Sequence, residues 1–224
     1  MCGLIVNSTR EAVTRAKIVE DLALDALQVT PVHYLFKPSD EAVTEHFRVM
    51  SEASQFPILI YNVVPWSYLS ADLLLEIMHE VPGVIGVKQS NGDLHTFADL
   101  KLGEREGDVI LAATDAVLYS AYRLGACGAI AATLAAAPGP SVELWNSVVA
   151  DDDARARALH EKLLPLWNAC VGDNMPSCIK YAQSLQGVTT GAGRRSPMHP
   201  VTEEQKLRIR DVLAGLGLTD TAAA

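Results

Sequence analysis

Six times within the first 150 residues, a short apolar run is followed by a stretch with helical spacing. The runs are Gly3 to Val6, Ala26 to Val29, Pro57 to Tyr61, the run ending at Lys88, Val109 to Ala113 and Gly128 to Ala132. Most are continuous rather than alternating. That pattern marks strands buried on both faces, hence parallel and covered by helices. The first helical stretch opens on Ser8 with Glu11 three residues on, a capping-box signature. Further helices are expected at about Asp40 to Ala53, from about Ser70, from about Asp93, through "AVLYSAYRLGA" and around "SVELWNSVVA". Repeated β/α units leave two architectures, the doubly wound sheet and the (β/α)8 barrel. No G-x-G-x-x-G or G-x-x-x-x-G-K-[ST] follows any run, so the nucleotide-binding sheet lacks its best signal. The expected fold is therefore α/β of the barrel type, with six units.

After residue 150 the pattern is helical only. Helices are expected at about Asp153 to Val171 and Ser177 to Leu185, with a third capped by Thr202 and Gln205. A Gly/Pro-rich loop, "GVTTGAGRRSPMHP", separates the last two. The expected organisation is β/α units over residues 1–150 and a helical extension over 151–224.

Charge and composition exclude several functions. The net charge of −9 and pI of about 5.1 argue against nucleic acid or an anionic membrane as partner, since both want a basic patch. No apolar run reaches the ~18 residues of a membrane span, and the N-terminus lacks the pattern of a secretory signal. Cys2, Cys127, Cys170 and Cys178 show no metal-type spacing and fit free thiols in a reducing cytoplasm. The six histidines are scattered, so no metal site is expected.

Barrel active sites collect at the C-terminal ends of the strands. The residues there are Asn7, Thr30, Tyr61 with Asn62, Lys88 with Gln89, Thr114 with Asp115, and Thr133. Lys88 stands out in "GVIGVKQSNG", because an ammonium at the end of an apolar strand is costly to bury. Tyr61 ends the preceding strand. With parallel strands ~4.8 Å apart, the tyrosine hydroxyl and the lysine amine can meet. A desolvated lysine can attack a carbonyl to form a Schiff base, and a phenol beside it can shuttle protons. The reaction class is then aldol cleavage or condensation. The plainer reading is a solvated lysine, a packed tyrosine, and an Asp115 that only caps the next helix. Spacing alone leaves both open.

At these residues the chain resembles a known family. "FPILIYNVVP" followed by "VPGVIGVKQSNGD" is similar to the dihydrodipicolinate synthase/N-acetylneuraminate lyase family. There Y-N-x-P carries the catalytic tyrosine and G-[IV]-K the Schiff-base lysine. "NSTREAVTRAK", "DALQVTPVHYLFKPSDEAVTEHF", "LGACGAIAAT", "MPSCIKYAQSLQG" and "RRSPMHPVTEEQKLRIRDVL" resemble further family segments in order. The resemblance implies a (β/α)8 barrel and a class I aldolase that binds pyruvate or a related 2-oxo acid as an imine on Lys88, with Tyr61 as partner. It implies no metal or organic cofactor, an aldehyde as second substrate, and a cytoplasmic homotetramer. It assigns Ile130, in "GAIAAT", to the keto-acid site. Through the longer loop "TPVHYLFKP" it matches Tyr34 to a tyrosine that reaches a neighbouring subunit's site.

The chain also departs from that pattern. In the synthases an arginine follows Y-N-x-P-x and grips a carboxylate. Here "YNVVPWSYLS" has no arginine and places Trp66 nearby. An indole does not replace a bidentate carboxylate ligand, which disfavours aspartate semialdehyde. Gln89 stands where a glutamate is usual. The family's first two β/α units, with a Thr-Thr pair of the proton relay, have no counterpart. The expectation is a fragment of a longer natural chain, poorly soluble or inactive alone. Two further readings therefore stand beside the Schiff-base aldolase: an authentic 4-hydroxy-tetrahydrodipicolinate synthase, and an inactive truncated or binding protein.

Overall fold

The computed structural model describes residues 1–188 and 194–219. Six strands form one sheet: β1 (Cys2–Leu4), β2 (Leu27–Val29), β3 (Ile58–Asn62), β4 (Val84–Gln89), β5 (Val109–Ala112) and β6 (Gly128–Ala129). Their order is β1-β2-β3-β4-β5-β6, and each neighbouring pair is parallel. A doubly wound sheet reverses its strand order at a switch point. This sheet never reverses, which is the winding of a β/α barrel, here through six units.

The helices are α1 (Thr9–Ile18), α2 (Asp40–Ala53), α3 (Ala71–Glu80), α4 (Leu94–Gly103), α5 (Leu118–Arg123), α6 (Thr133–Ala136), α7 (Pro138–Val149), α8 (Asp153–Cys170), α9 (Met175–Leu185) and α10 (Glu203–Gly215). Caps set their starts. Ser39, Ser70 and Asp93 each accept from a backbone N–H of the following first turn. Thr202 and Gln205 form a complete capping box on α10. At α1 the box is modified. Ser8 accepts from Glu11 N, but the Glu11 carboxylate reaches back to Asn7 N at 2.8 Å rather than to Ser8.

Several boundaries correct the sequence reading. The first strand is Cys2–Leu4, not Gly3 to Val6, because Val6 N donates to the Thr30 hydroxyl (3.3 Å) instead of a strand carbonyl. The sixth ends at Ala129, not Ala132. The Asp115 carboxylate takes the N–H groups of Ala132 (3.2 Å) and Thr133 (2.7 Å) and turns the chain into α6. Asp115 thus caps α6 rather than the next helix. α7 begins at Pro138, earlier than "SVELWNSVVA" suggested, because proline is preorganised for the first helical turn. The Gly/Pro-rich loop before α10 lies partly outside the described residues.

The chain divides into two compact units. One comprises Met1–Thr114 and Leu124–Ala129, and the other Asp115–Arg123 and Ile130 onward. The first holds the whole sheet. Its core is built from Leu27, Ile58, Ile60, Val87 and Ile110 of the strands with Phe47, Met50, Leu74, Ile77 and Leu100 of the helices. The second is helical, with Leu144, Ala156, Leu166, Ile209 and Leu213 buried in it and Tyr122 edge-on to Trp145. Among the described residues no helix is long and apolar enough to cross a membrane.

One irregularity in the sheet bears on function. Ile58 pairs with Val84 but Leu59 pairs with Gly86, so Ile85 is an extra residue in β4. Beyond this bulge Tyr61 stands opposite Lys88. In the unshifted register Tyr61 would face Val87, and Lys88 would point to the other side. Gly86 lets β5 approach at this point, since a Cβ there would collide with the Val109 carbonyl.

Candidate active site

All six strands run the same way, so their carboxyl ends share one edge of the sheet. Tyr61 and Lys88 lie side by side there. Lys88 is 8% exposed. Its Nζ sits 4.0 Å from the centroid of the Tyr61 ring. Lys88 Nζ thus lies against the face of the Tyr61 ring, where the quadrupole favours a cation. Burial pushes the Tyr61 phenol above its ordinary range. A phenol is protonated at neutral pH, and this one is a proton donor before it is an acceptor. Tyr68 was not singled out in the sequence. Its phenol is also raised, by burial first and by the neighbouring Tyr61 second.

The loop after β3 is clamped by one side chain. Asn62 is fully buried. Its Oδ1 accepts from Leu69 N (3.0 Å). Its Nδ2 donates to Leu69 O (3.1 Å) and to Gln89 Oε1 (2.9 Å). Residues 63–69 are thus folded back onto β3 and tied to the residue after Lys88. Ser67 Oγ, Gln89 Nε2 and Ser90 Oγ are buried with no hydrogen-bond partner among the described residues. Buried polar atoms of this kind mark places filled by water or ligand.

The segments that follow the carboxyl ends of β1, β2 and β3 bring Asn7, the loop His33–Lys37 and Trp66 together to line a cavity of about 710 Å³. Tyr34 lies here, with Trp66, and is exposed. Ile130 follows β6 directly, is half-buried and belongs to the second unit. Thr114 donates to Ser90 O (3.4 Å). Among the described residues no three His, Cys, Asp or Glu side chains are placed to hold a metal ion.

A sequentially wound parallel sheet with lysine and tyrosine paired at its carboxyl edge defines a class: β/α-barrel carbon–carbon lyases and synthases of the Schiff-base type. Comparison with known proteins narrows it. Residues 3–215 match the model of the dihydrodipicolinate synthetase family. The 4-hydroxy-tetrahydrodipicolinate synthase of Bradyrhizobium diazoefficiens is 33% identical over 220 residues, 97% of this chain and 73% of that protein. The protein of the same name from Methanopyrus kandleri is 31% identical over the same shares. The crystal structure of dihydrodipicolinate synthase from Thermotoga maritima superposes with a TM-score of 0.88 at 26% identity, covering 96% of this chain and 74% of that one. The chain belongs to the dihydrodipicolinate synthetase family.

Proposed function

We propose that Lys88 is the nucleophile of a class I aldolase or lyase acting on pyruvate or a related 2-oxo acid. The amine attacks the C2 carbonyl and water leaves, giving an imine. Loss of a C3 proton gives an enamine, which attacks an aldehyde carbon. The aldehyde oxygen takes up a proton, and water releases the 4-hydroxy-2-oxo acid. Cleavage runs the same steps backwards. Tyr61, a phenol whose pKa burial raises, passes protons to and from these oxygens. Ile130 and Tyr34 enter the proposal as substrate-binding residues by family resemblance. So do a homo-oligomeric, tetrameric state and a cytoplasmic location.

The observation that carries the reading is a nearly buried lysine held 4.0 Å over a tyrosine ring at the carboxyl edge of a parallel sheet. The test is reductive trapping. Pyruvate with borohydride should add reduced pyruvate to one lysine, and Lys88→Ala should abolish the adduct. An adduct that persists in Lys88→Ala would refute the assignment.

A second reading, 4-hydroxy-tetrahydrodipicolinate synthase, comes from the names of the relatives. Against it stands Trp66, whose indole N–H already donates to His33 O at 3.0 Å. Efficient condensation of pyruvate with aspartate semialdehyde in a coupled assay would promote it.

A further inference from the structure

The cavity formed by the segments after β1, β2 and β3, at the carboxyl edge where Tyr61 and Lys88 also stand, is lined by Trp66 and Phe36, to which the imine chemistry gives no role. Trp66 is 63% exposed and Phe36 is 77% exposed, and Tyr34 and Leu35 are also open to solvent on the same cavity. Large exposed apolar groups gathered on one concavity mark a binding surface rather than scatter.

These groups are held in place. Trp66 sits in a one-turn 3-10 segment, Pro65–Ser67. That segment lies within the loop that Asn62 clamps through Leu69. The indole's one donor is spent on His33 O, and the His33 ring packs edge-on at 6.3 Å. Trp66 therefore offers the cavity an apolar face and no hydrogen bond. The loop against which Trp66 packs turns at Leu35, whose φ of 59° is the left-handed conformation that a bulky residue rarely adopts. Phe36 N donates to Tyr34 O across that turn at 2.8 Å. The turn carries Tyr34, Leu35 and Phe36 together.

Charge is sparse. Among the described residues Lys37 is the one lysine lining the cavity, exposed and 3.9 Å from Asp40, and no arginine lines it. A solvated ammonium of this kind favours a carboxylate by about fivefold at most, whereas aromatic packing against a fixed ring brings up to about tenfold beyond the burial of area.

We infer that this cavity selects the second substrate, and that its class is an aldehyde with an aromatic or bulky apolar body. The inference rests on the Schiff-base reading of Lys88. In the condensation the pyruvate-derived enamine forms a bond from its C3 to the aldehyde carbon. The aldehyde oxygen becomes the 4-hydroxyl, and the aromatic body lies against Trp66.

The test is equilibrium binding of product-like 2-oxo acids that lack the 4-hydroxyl and so cannot be cleaved. 2-Oxo-4-phenylbutanoate and 2-oxohexanedioate are titrated into the full chain by calorimetry. The phenyl compound should bind about tenfold or more tightly. Trp66→Ala should erase that preference, and Trp66→Arg should turn it toward the dicarboxylate. Equal binding, or a wild-type preference for the dicarboxylate, overturns the inference. So does a preference untouched in Trp66→Ala. Trapping of pyruvate on Lys88 is measured in the same samples. If trapping fails while the phenyl preference stands, the imine assignment has failed and the cavity's specificity has not. If trapping succeeds without the preference, the aromatic substrate class has failed alone. If light scattering shows the cavity closed by a second copy, and Phe36→Ser both dissociates it and leaves phenyl binding unchanged, the patch is a subunit contact and the inference is overturned.

Discussion

In the proposed function Tyr61 has two separable jobs, one with its ring and one with its hydroxyl. The ring face lies 4.0 Å from Lys88 Nζ. The hydroxyl, whose pKa burial raises further above neutral pH, is the group proposed to move protons. Tyr61→Phe keeps the first and removes the second. Turnover should fall by roughly 10²-fold or more, the usual range for a positioned acid–base group. Borohydride trapping of pyruvate should survive far better than turnover, because the lysine keeps its aromatic seat. Normal turnover in Tyr61→Phe would reduce the residue to packing. Both members of this pair were legible in the sequence because each interrupts or ends an apolar run. Asn62 and Tyr68 were not read for what they do. A single polar residue at the end of a strand carries no periodicity, and the Asn62 contacts span 7 and 27 residues. Nothing local signals that Trp66, 33 residues from His33 along the chain, spends its only donor on that carbonyl.

At the scale of elements, the sheet's winding was legible because β/α alternation leaves few architectures. The register was not. A strand apolar on both sides has no period-2 signal to be broken, so the bulge at Ile85 left no trace, although it places Lys88 opposite Tyr61. The helix pair α1 and α2 yields a prediction of its own. His46 of α2 is buried, with Nδ1 3.0 Å from the Thr9 hydroxyl at the start of α1 and Nε2 without a partner among the described residues. Burial lowers its pKa from 6.5 to about 4. The unfolded chain therefore binds a proton below pH 6.5 that the folded chain refuses until about pH 4. Stability is lost as pH falls through that window, by about 3 kcal/mol at its foot. His46→Gln keeps an acceptor for Thr9 but does not titrate. Its melting temperature should fall less than that of the wild type between pH 6.5 and 4. Parallel curves for the two proteins would assign the acid sensitivity to other groups.

At the scale of the molecule, the sheet ends on two edges, β1 and β6. Edge strands invite pairing with another chain unless they are short, charged or covered. Here β6 is two residues long. β1 is three residues long and leads to Ile5, which is 58% exposed. One device already blunts this edge: the Arg15 guanidinium donates to the Ile5 carbonyl at 2.8 Å. The net charge of −9 adds a general repulsion near neutral pH that fades toward the pI of about 5.1. In residues 1–224 taken by themselves, the β1 edge is therefore the place where copies should first associate as concentration rises. Ile5→Lys puts a charge on the open edge without touching the core, so folding stability should move by less than about 0.5 kcal/mol. Arg15→Ala uncovers the Ile5 carbonyl and should act in the opposite direction. Light scattering across a concentration series at fixed pH should rank association as Arg15→Ala, then wild type, then Ile5→Lys. If all three coincide, self-association does not run through β1, and the apolar cavity wall at Tyr34 to Phe36 becomes the next surface to substitute.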